Sequence, residues 1–388
     1  MGIDGSKGGA ILFALAAVAL ASAGAPAQIA VSANDNKAVL NDGVVSIPAS
    51  VAADTVTLIN LGVSPPKVIA EIAAPSSVVG PPSSVAVASD ESIAIVTAAI
   101  KIDPADAKKT VPDNRVSVID LKASPPAVVQ TVIAGMGAAG VAINRAGTLV
   151  LVANRAEGSV SVFSVAAKRL TPVGKIQLGA ANSGPSAVGF TPDGKSALVT
   201  RDGDHKISVL SIDGNKVEHA KRDMNAGLRP YPLGITSDGR YAAIGNIGLG
   251  DGDADTMSLI DLQLKPPRVV ETVTVGQTPE GLAVAPDGIH VAVTVMNGSN
   301  KPKASPYHAE KGLVRVFRIV QGRFQHVADA SVGRWCQGAA WSANGQTLLV
   351  QCMVEREILA FAFNGKELKA AASIKVNGGP AGIHVANQ

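Results

Sequence analysis

A unit of two short strands joined by a small polar turn recurs along this chain and constrains its fold more than any other feature. Its seven copies are centred on Asp35, Asp90, Ala146, Asp193, Asp238, Asp287 and Asn344. Successive centres are 55, 56, 47, 45, 49 and 57 residues apart. Self-similarity at such a period indicates a propeller or a solenoid.

Each copy carries signals for four strands. Apolar and polar residues alternate on both sides of the turn, and an Asp-Gly or Asn-Gly pair in most copies supplies the positive φ of a hairpin. A third alternating segment follows, as at 116–121, and then a fourth, as at 127–132, preceded in three copies by a Pro-Pro pair that ends the previous strand. Four antiparallel strands per unit define a propeller blade, so we predict an all-β, seven-bladed β-propeller over residues 28–388.

The last residues contain an eighth copy of the first-strand motif. Residues 379–385 are expected to complete the blade that begins near Gln28, because propellers commonly close by adding a terminal strand to the blade at the other end of the chain. Residues 29–32 also resemble a first strand, and both segments cannot occupy one place. The sequence leaves this competition open.

Residues 1–27 match a secretory signal peptide. Lys7 precedes an apolar stretch at 11–21, and small residues lead to a predicted cleavage site after Ala27, with Ala23 marking a second candidate site. The alternative is an ordinary buried helix. Since the apolar stretch is short for a bilayer span, we expect a mature chain with no membrane span, located in the periplasm or secreted.

The charge pattern argues against a polyanionic partner. The chain has 34 basic and 31 acidic residues, and the basic ones are scattered without a run of five or six. No nucleic-acid partner is therefore expected. We expect a monomer that binds a small molecule or a protein.

Several repeated segments resemble a known family. The turn Thr-Pro-Asp-Gly at 191–194, the strand Val-Ser-Val-Ile-Asp-Leu at 116–121 and the ending Val-Glu-Thr-Val-Thr-Val-Gly at 270–276 are similar to those of YVTN-repeat propellers, close to the lactonase-like group. The resemblance covers about residues 29–388 and implies the fold. For activity it implies opening or closing of a lactone or a related carboxylated compound by a set of Arg, Glu and His residues.

Long insertions predict which face of the propeller binds. In a four-stranded blade, the connections from strand two to three and from strand four to the next blade share one face, here called the loop face. The Asp-Gly turns lie on the opposite, turn face. The four longest insertions, at 42–54, 101–114, 245–255 and 297–311, all fall on the loop face and favour a binding surface there. Alternatively, the insertions are solvent-exposed loops that bind nothing.

Polar and aromatic residues cluster at the predicted loop-face end of the axis. The candidate ligand-binding residues are Arg155, Arg201, Asp202, Arg229, Tyr231, Asn246, Asn297, Tyr307, Arg334 and Trp335. Guanidinium groups bind carboxylates in a bidentate manner, so this set suits a small carboxylated ligand. Alternatively, these residues only solvate the axis.

Three residues are candidates for acid–base catalysis. His205 and His308 each lie in a loop with a carboxylate within two residues, and Glu280 lies among the candidate arginines. An ordinary surface position is the alternative for either histidine. No Gly-x-Ser-x-Gly motif or paired Cys and His spacing supports other familiar enzyme classes.

The segment 250–255 places Asp251, Asp253 and Asp255 at alternate positions, a spacing that hard cations use in oxygen-rich loops. A structural Ca²⁺ site and a solvated acidic turn are both consistent with it. No cofactor is otherwise required.

The chain has two cysteines, placed symmetrically about one turn. Cys336 and Cys352 lie eight residues before and after Asn344, so a hairpin centred on Asn344 sets them opposite each other. That arrangement predicts a disulfide, provided that the geometry allows it. A reduced thiol pair lining the channel beside Trp335 is the alternative.

Two functions remain open at this point. One is an exported, non-catalytic propeller that binds a small carboxylated ligand or a protein on its loop face. The other is a lactonase-like hydrolase or cyclase that acts in the axial funnel. Convergence of Glu280, the histidines and the arginines on one cavity would favour the enzyme.

Overall fold

The computed structural model describes residues 1–2 and 28–386. The predicted signal peptide falls almost wholly on residues 3–27, outside the described residues, and so stays a prediction. The described part is built of strands, with one short 3₁₀ turn at Ala181–Ser183. No helix among the described residues is long and apolar enough to cross a membrane.

The strands follow one another along the chain, with the longest connection between β25 and β26. They are β1 (Ile29–Asp35), β2 (Val39–Asn41), β3 (Val44–Ser46), β4 (Thr55–Asn60), β5 (Lys67–Ala73), β6 (Val85–Val87), β7 (Ile93–Thr97), β8 (Ile100–Asp103), β9 (Asp106–Pro112), β10 (Arg115–Asp120), β11 (Ala127–Ile133), β12 (Ala138–Ile143), β13 (Leu149–Asn154), β14 (Ser159–Ala166), β15 (Arg169–Gln177) and β16 (Pro185–Phe190). The second half comprises β17 (Ser196–Arg201), β18 (Lys206–Asp213), β19 (Lys216–Met224), β20 (Pro230–Ile235), β21 (Tyr241–Asn246), β22 (Asp255–Asp261), β23 (Arg268–Gly276), β24 (Pro279–Val284), β25 (His290–Val295), β26 (Leu313–Val320), β27 (Arg323–Ser331), β28 (Cys336–Trp341), β29 (Thr347–Cys352), β30 (Glu357–Phe363), β31 (Leu368–Lys375) and β32 (Gly379–Val385).

These strands form seven four-stranded antiparallel sheets, which confirms the seven-bladed propeller. Blades two to seven each use four strands in chain order from the axis outwards, from β6-β7-β10-β11 to β28-β29-β30-β31. The two extra hairpins overlap the predicted insertions of the first and second blades. Strand β3 lies within 42–54 while β2 precedes it, and β8-β9 nearly coincides with 101–114.

The first blade joins both ends of the chain. Its order is β32-β1-β4-β5, so the C-terminal strand is the inner strand and β1 is the second. The competition between the two terminal segments is thereby resolved. It also corrects the first repeat copy: Asp35 ends a second strand opposite Gly379 and is not the centre of a hairpin turn.

The other six turns join first and second strands as expected. Five carry a glycine with φ between 67° and 71°, and the second blade uses Glu91 at φ 53° instead. The left-handed region costs a glycine little, which explains why this residue recurs at the turn.

Apolar faces of neighbouring blades pack against each other all the way around the ring. Each of seven clusters takes buried residues from two adjacent blades, for example Leu151 with Leu210, and Trp341 with Val316. The seventh and first blades share Leu349 and Ile59, so the ring is closed by packing as well as by strand pairing. This rigid frame positions the inner strands around one axis.

Candidate functional site

In four blades, the second residue of the inner strand lies at the loop-face end of the axis. In the fourth to seventh blades these residues are Ser186, Tyr231, Glu280 and Gln337, here called the mouth ring. In β16, β20, β24 and β28 the register with the neighbouring strand shifts just after the first residue. Such bulges re-aim side chains and are common beside active sites.

A network of two arginines and one carboxylate lies beside the mouth ring. Arg155 and Asp202 each directly follow the last residue of a second strand, β13 and β17. The two Nη atoms of Arg155 donate to the two oxygens of Asp202, with 2.9 Å between Nη2 and Oδ2. Arg229 donates from Nη2 to the same Oδ2 at 2.9 Å, and Ser186 donates from Oγ to Oδ1 at 2.6 Å.

Asp202 is ionised in this setting although it is only 2% exposed. Burial alone would raise the pKa of Asp202, but the hydrogen bonds and the charge of Arg155 outweigh it and hold the pKa below its usual value. One carboxylate therefore faces two guanidinium groups, which leaves one net positive charge for a ligand.

Tyr231 and Glu280 border this network. The Cζ atom of Arg155 lies 5.5 Å from the centre of the Tyr231 ring, within cation–π range. Burial raises the pKa of the Tyr231 hydroxyl, so the hydroxyl stays protonated and able to donate.

Glu280 is a buried carboxyl group without a hydrogen-bonded partner in the described part of the chain. Glu280 as a whole is 6% exposed. Burial raises the pKa of Glu280 to about 8, although the nearby charges of Arg155 and Arg229 act to lower it. A carboxyl group that titrates near neutral pH suits general acid–base catalysis.

Gln337 occupies the next position of the mouth ring. It is fully buried, and both amide atoms lack a hydrogen-bond partner among the described residues. Leaving buried polar atoms unpaired costs free energy, so such an amide beside Glu280 is suited to binding an added group.

Three loops cover part of the mouth. The loop between β25 and β26 reaches the loop of the fifth blade through Lys301, whose Nζ donates to the Gly250 carbonyl. It reaches the β2-β3 hairpin of the first blade through the Lys303 N–H, 2.8 Å from Oδ1 of Asp42. Beneath this cover is an apolar cluster that includes Met296, Met353 and Trp335.

The mouth remains open on the side of Arg155. A cavity of about 310 Å³ lies there on the loop face, lined by Val79, Ile100, Pro112, Arg155, Ala156 and Asn182. That volume lies within the range of small-molecule sites. A ligand in this cavity would contact the exposed edge of Arg155.

Neither candidate histidine has a hydrogen bond to this network's side chains. Nδ1 of His205 accepts a hydrogen bond from the backbone N–H of Arg229 at 3.3 Å, so His205 supports the loop that carries that arginine. His308 lies in the covering loop, 3.1 Å from the Lys301 carbonyl and 3.4 Å from Glu310. Of the residues predicted to converge on one cavity, only Arg155 lines the loop-face cavity. Glu280 and Arg229 lie near Arg155 but are not part of that lining, and neither histidine is.

Two other predicted ligand residues bond within their own blades. Arg201 is 3% exposed in its side chain and pairs with Asp204 and with Asp223, the latter at 3.2 Å. Asn246 donates at 3.0 Å to both Thr256 and Ser258 of the neighbouring strand. Both side chains hold second strands to third strands.

The remaining predicted ligand residues lie in or under the loops. Asn297 donates to the Lys311 carbonyl at 3.2 Å within the covering loop, and Tyr307 is exposed in the same loop. Arg334 pairs with Glu355 at 2.9 Å on the rim. Trp335 is buried in the apolar cluster under the cover. None of these four has a hydrogen bond or ion pair to Asp202 or Glu280 in the described residues.

Comparisons with known proteins agree with this architecture. The family model described as "Lactonase, 7-bladed beta-propeller" matches residues 113–228. A putative 6-phosphogluconolactonase from Bacteroides uniformis has a TM-score of 0.71 at 15% identity and covers 92% of this chain and 99% of its own. The chain resembles the lactonase-like β-propellers.

Other solved structures share the fold at similarly low identity. A periplasmic gluconolactonase from Pseudomonas aeruginosa has a TM-score of 0.65 at 18% identity, with 92% of this chain and 98% of that chain covered. Hydrazine synthase from Kuenenia stuttgartiensis has a TM-score of 0.62 at 18% identity, covering 80% and 90%. A search of curated protein sequences found no significant match. At these identities the likeness establishes the fold and not the activity.

Asp255, at the end of the predicted Ca²⁺ segment, is held by a backbone contact and lies within range of the charges of Asp251 and Asp253. Oδ2 of Asp255 accepts a hydrogen bond from the Thr278 N–H at 2.8 Å. In the described part of the chain, no group of three or more His, Cys, Asp or Glu side chains is arranged to hold a metal ion. The Ca²⁺ site at Asp251, Asp253 and Asp255 stays a prediction.

Cys336 and Cys352 lie directly opposite each other, as predicted. The route differs from the prediction: Ala339 pairs with Val350, one residue off the expected centre, and the bulge between Cys336 and Ala339 restores the register. Both thiols are free and buried, so the predicted disulfide is not formed in the structure. Each sulfur has another partner, the Val295 carbonyl at 3.1 Å for Cys336 and the Gly333 N–H at 3.3 Å for Cys352.

Sequence reasoning missed Ser186 and Gln337. They lie two residues before Val188 and Ala339, at a position that Ser, Tyr, Glu and Gln occupy in four successive repeat copies. That shared position is the sequence signal for the mouth ring.

Proposed function

We propose that this protein is a lactonase-like hydrolase that opens a small lactone on its loop face, with Glu280 as the general acid–base. The observation that carries the proposal is the position of Glu280, a buried carboxyl group with a pKa of about 8, beside Arg155, Arg229 and Tyr231. The names of the two similar lactonases, which refer to sugar lactones, support a lactone as the substrate.

Each group has a defined role in the proposed reaction. Ionised Glu280 takes a proton from a water molecule as that water attacks the lactone carbonyl. The guanidinium N–H groups of Arg155 and Arg229 and the Tyr231 hydroxyl donate to the oxyanion that forms. Glu280 then returns the proton to the ring oxygen as the acyl–oxygen bond breaks, which gives a hydroxy acid.

Asp202 is proposed as a positioning residue. Its two oxygens fix both guanidinium groups before substrate arrives, so little reorganisation is needed in the transition state. It also cancels one of the two positive charges. Ionised Glu280 cancels the other, so a neutral lactone fits better than a charged one.

The proposal is tested with purified residues 28–388 and a panel of sugar and aliphatic lactones, with acid release followed above the spontaneous rate. We expect Glu280→Gln to lower kcat/KM by about 100-fold or more. Glu218→Gln, on an exposed outer strand, is the matched control and should leave kcat/KM unchanged.

Two outcomes would contradict the proposal. One is no turnover of any lactone by a folded protein. The other is full activity of Glu280→Gln. Saturable binding of a carboxylated compound without turnover would instead support a non-catalytic binding propeller, which this chain's loop face would also suit. Export of the mature chain is a separate proposal that rests on the predicted signal peptide.

A further inference from the structure

A second cavity lies along the propeller axis and opens on the turn face, opposite the candidate active site. It has a volume of about 300 Å³ and extends from just below the mouth ring to the Asp-Gly turns. The lining includes Arg145 and Pro286 at the turn-face end but none of Ser186, Tyr231, Glu280 and Gln337. The two cavities are therefore separate sites.

The wall of this axial cavity is mostly aliphatic where the inner strands form it, whereas Arg145, Thr191 and Thr236 make its turn-face end polar. The aliphatic part is formed by side chains of the inner strands, among them Val188, Leu233, Leu282, Val284 and Ile383. Several of these side chains, including those of Leu233, Leu282 and Val284, remain partly exposed although they lie at the centre of the molecule. Water beside these side chains finds few hydrogen-bonding partners, whereas an apolar molecule would gain contacts with them.

His384 adds a polar group to this wall. Its Nδ1 atom is buried without a hydrogen-bond partner among the described residues, and the ring lines the cavity. Burial lowers the pKa of His384, so the imidazole is uncharged at neutral pH. A buried N–H without an acceptor is costlier than a buried lone pair, so the unpartnered Nδ1 favours the tautomer with its proton on Nε2. In that tautomer Nε2 can donate a hydrogen bond to a ligand oxygen.

We propose that the axial cavity is a binding site for an uncharged apolar molecule that carries one hydrogen-bond-accepting oxygen, such as a ketone. The aliphatic wall supplies the affinity, and His384 recognises the oxygen. A carboxylate beside His384 is disfavoured because the uncharged imidazole supplies no counter-charge, and the one cation in the described lining, Arg145, lies at its turn-face end. The site is independent of lactone hydrolysis at the other end of the axis.

The test is calorimetric titration of the mature chain with 2-octanone, octanoate and toluene. We expect saturable binding of 2-octanone, with a negative heat-capacity change and an affinity at least about tenfold higher than that of octanoate. Val284→Phe should fill part of the cavity and lower the affinity for 2-octanone at least about tenfold. Val270→Phe, on an exposed part of an outer strand, is its matched control and should bind as the wild type does.

A second variant keeps the proposal testable if Val284→Phe does not fold. His384→Leu should lower the affinity for 2-octanone about fivefold to tenfold. It should change the affinity for toluene by less than about twofold, because toluene has no acceptor oxygen. His326→Leu, at a half-exposed outer position, is the control. Absence of saturable 2-octanone binding, an unchanged affinity in folded Val284→Phe, or equal losses for both ligands in His384→Leu would each overturn the proposal.

Discussion

Arg155 in the third blade binds both carboxylate oxygens of Asp202 in the fourth, so the candidate site is built across a blade boundary. Asp202 also binds Arg229, which directly precedes the inner strand of the fifth blade. One carboxylate thus ties three consecutive blades together at the axis. The same contact that orients the arginines also holds the frame.

Asp202→Asn should therefore destabilise the protein. It leaves two guanidinium groups without their counter-charge, and we expect a loss of about 2 kcal/mol in the free energy of unfolding, less than for a wholly buried pair because both arginines are partly exposed. Unfolding in urea measures this loss of free energy. Glu218→Gln removes an exposed pair with Lys216 and should cost less than about 0.5 kcal/mol. Equal losses in the two variants would show that the network adds no stability.

Glu280→Gln should stabilise the protein at alkaline pH. The folded-state pKa of Glu280, about 8, lies above the ordinary value of 4.5. The native state therefore holds a proton that the unfolded state releases, and stability is lost as pH rises between those two values. We expect the variant to gain roughly 3 to 5 kcal/mol over the wild type at pH 8.5 and almost nothing at pH 4. Unfolding curves at both pH values check this; a gain that does not depend on pH would contradict the raised pKa.

The pH profile of lactone hydrolysis should report the same group. If ionised Glu280 is the base, kcat/KM should rise tenfold per pH unit below about 8 and level off above it. Initial rates between pH 6 and pH 9.5, corrected for spontaneous hydrolysis, give the profile. Glu280→Asp should lower the plateau and keep an ionisation-dependent rise, whereas a flat profile in the wild type would assign catalysis to another group.

Cys336 and Cys352 should resist alkylation in the native protein. Both are buried, and burial raises the pKa of Cys352 to about 12, so little thiolate is present at neutral pH. Iodoacetamide at pH 7.5 should leave the mass of the native chain unchanged and add two adducts after denaturation. Two adducts on the native chain would contradict the burial. No adduct after denaturation without reductant would mean that the purified protein holds the disulfide.

Deleting β32 should abolish cooperative folding. Truncation after Gly378 removes the inner strand of the first blade and the contact of Ile383 with the last blade. We expect a broad thermal transition and exposed apolar surface, detected by circular dichroism and dye binding. Truncation after Ala386 is the control and should melt as the full chain does.

The sequence predicted the blades because blade-building residues repeat. Alternation, Asp-Gly turns and Pro-Pro pairs are local signals, and they located the strands of six blades to within a few residues. The first blade was misaligned because its inner strand comes from the far end of the chain, and Asp35 happens to lie at the repeat spacing. The eighth copy of the motif indicated the closing strand, but no local signal in residues 29–35 showed that they form the second strand.

The sequence indicated some residues of the candidate site but not the directions of their side chains. Charge and position identified Arg155, Asp202, Arg229, Tyr231 and Glu280, but not which arginine points to the axis. Arg201 and Asp202 are neighbours, and the alternation of strand side chains sends one outward to Asp223 and the other inward. The repeat shows the position that Gln337 shares with Glu280, but the bulge that directs this position to the axis depends on three-dimensional packing.

The closure of the first blade has a consequence for synthesis. A ribosome delivers β1 first and β32 last, so the inner edge of β1 stays without its partner until almost the entire chain has been translated. An unpaired strand edge is a template for pairing with other chains. For this protein, the interval between making residue 35 and residue 379 is the period in which the nascent chain is most exposed to aggregation, and slower translation would lengthen it.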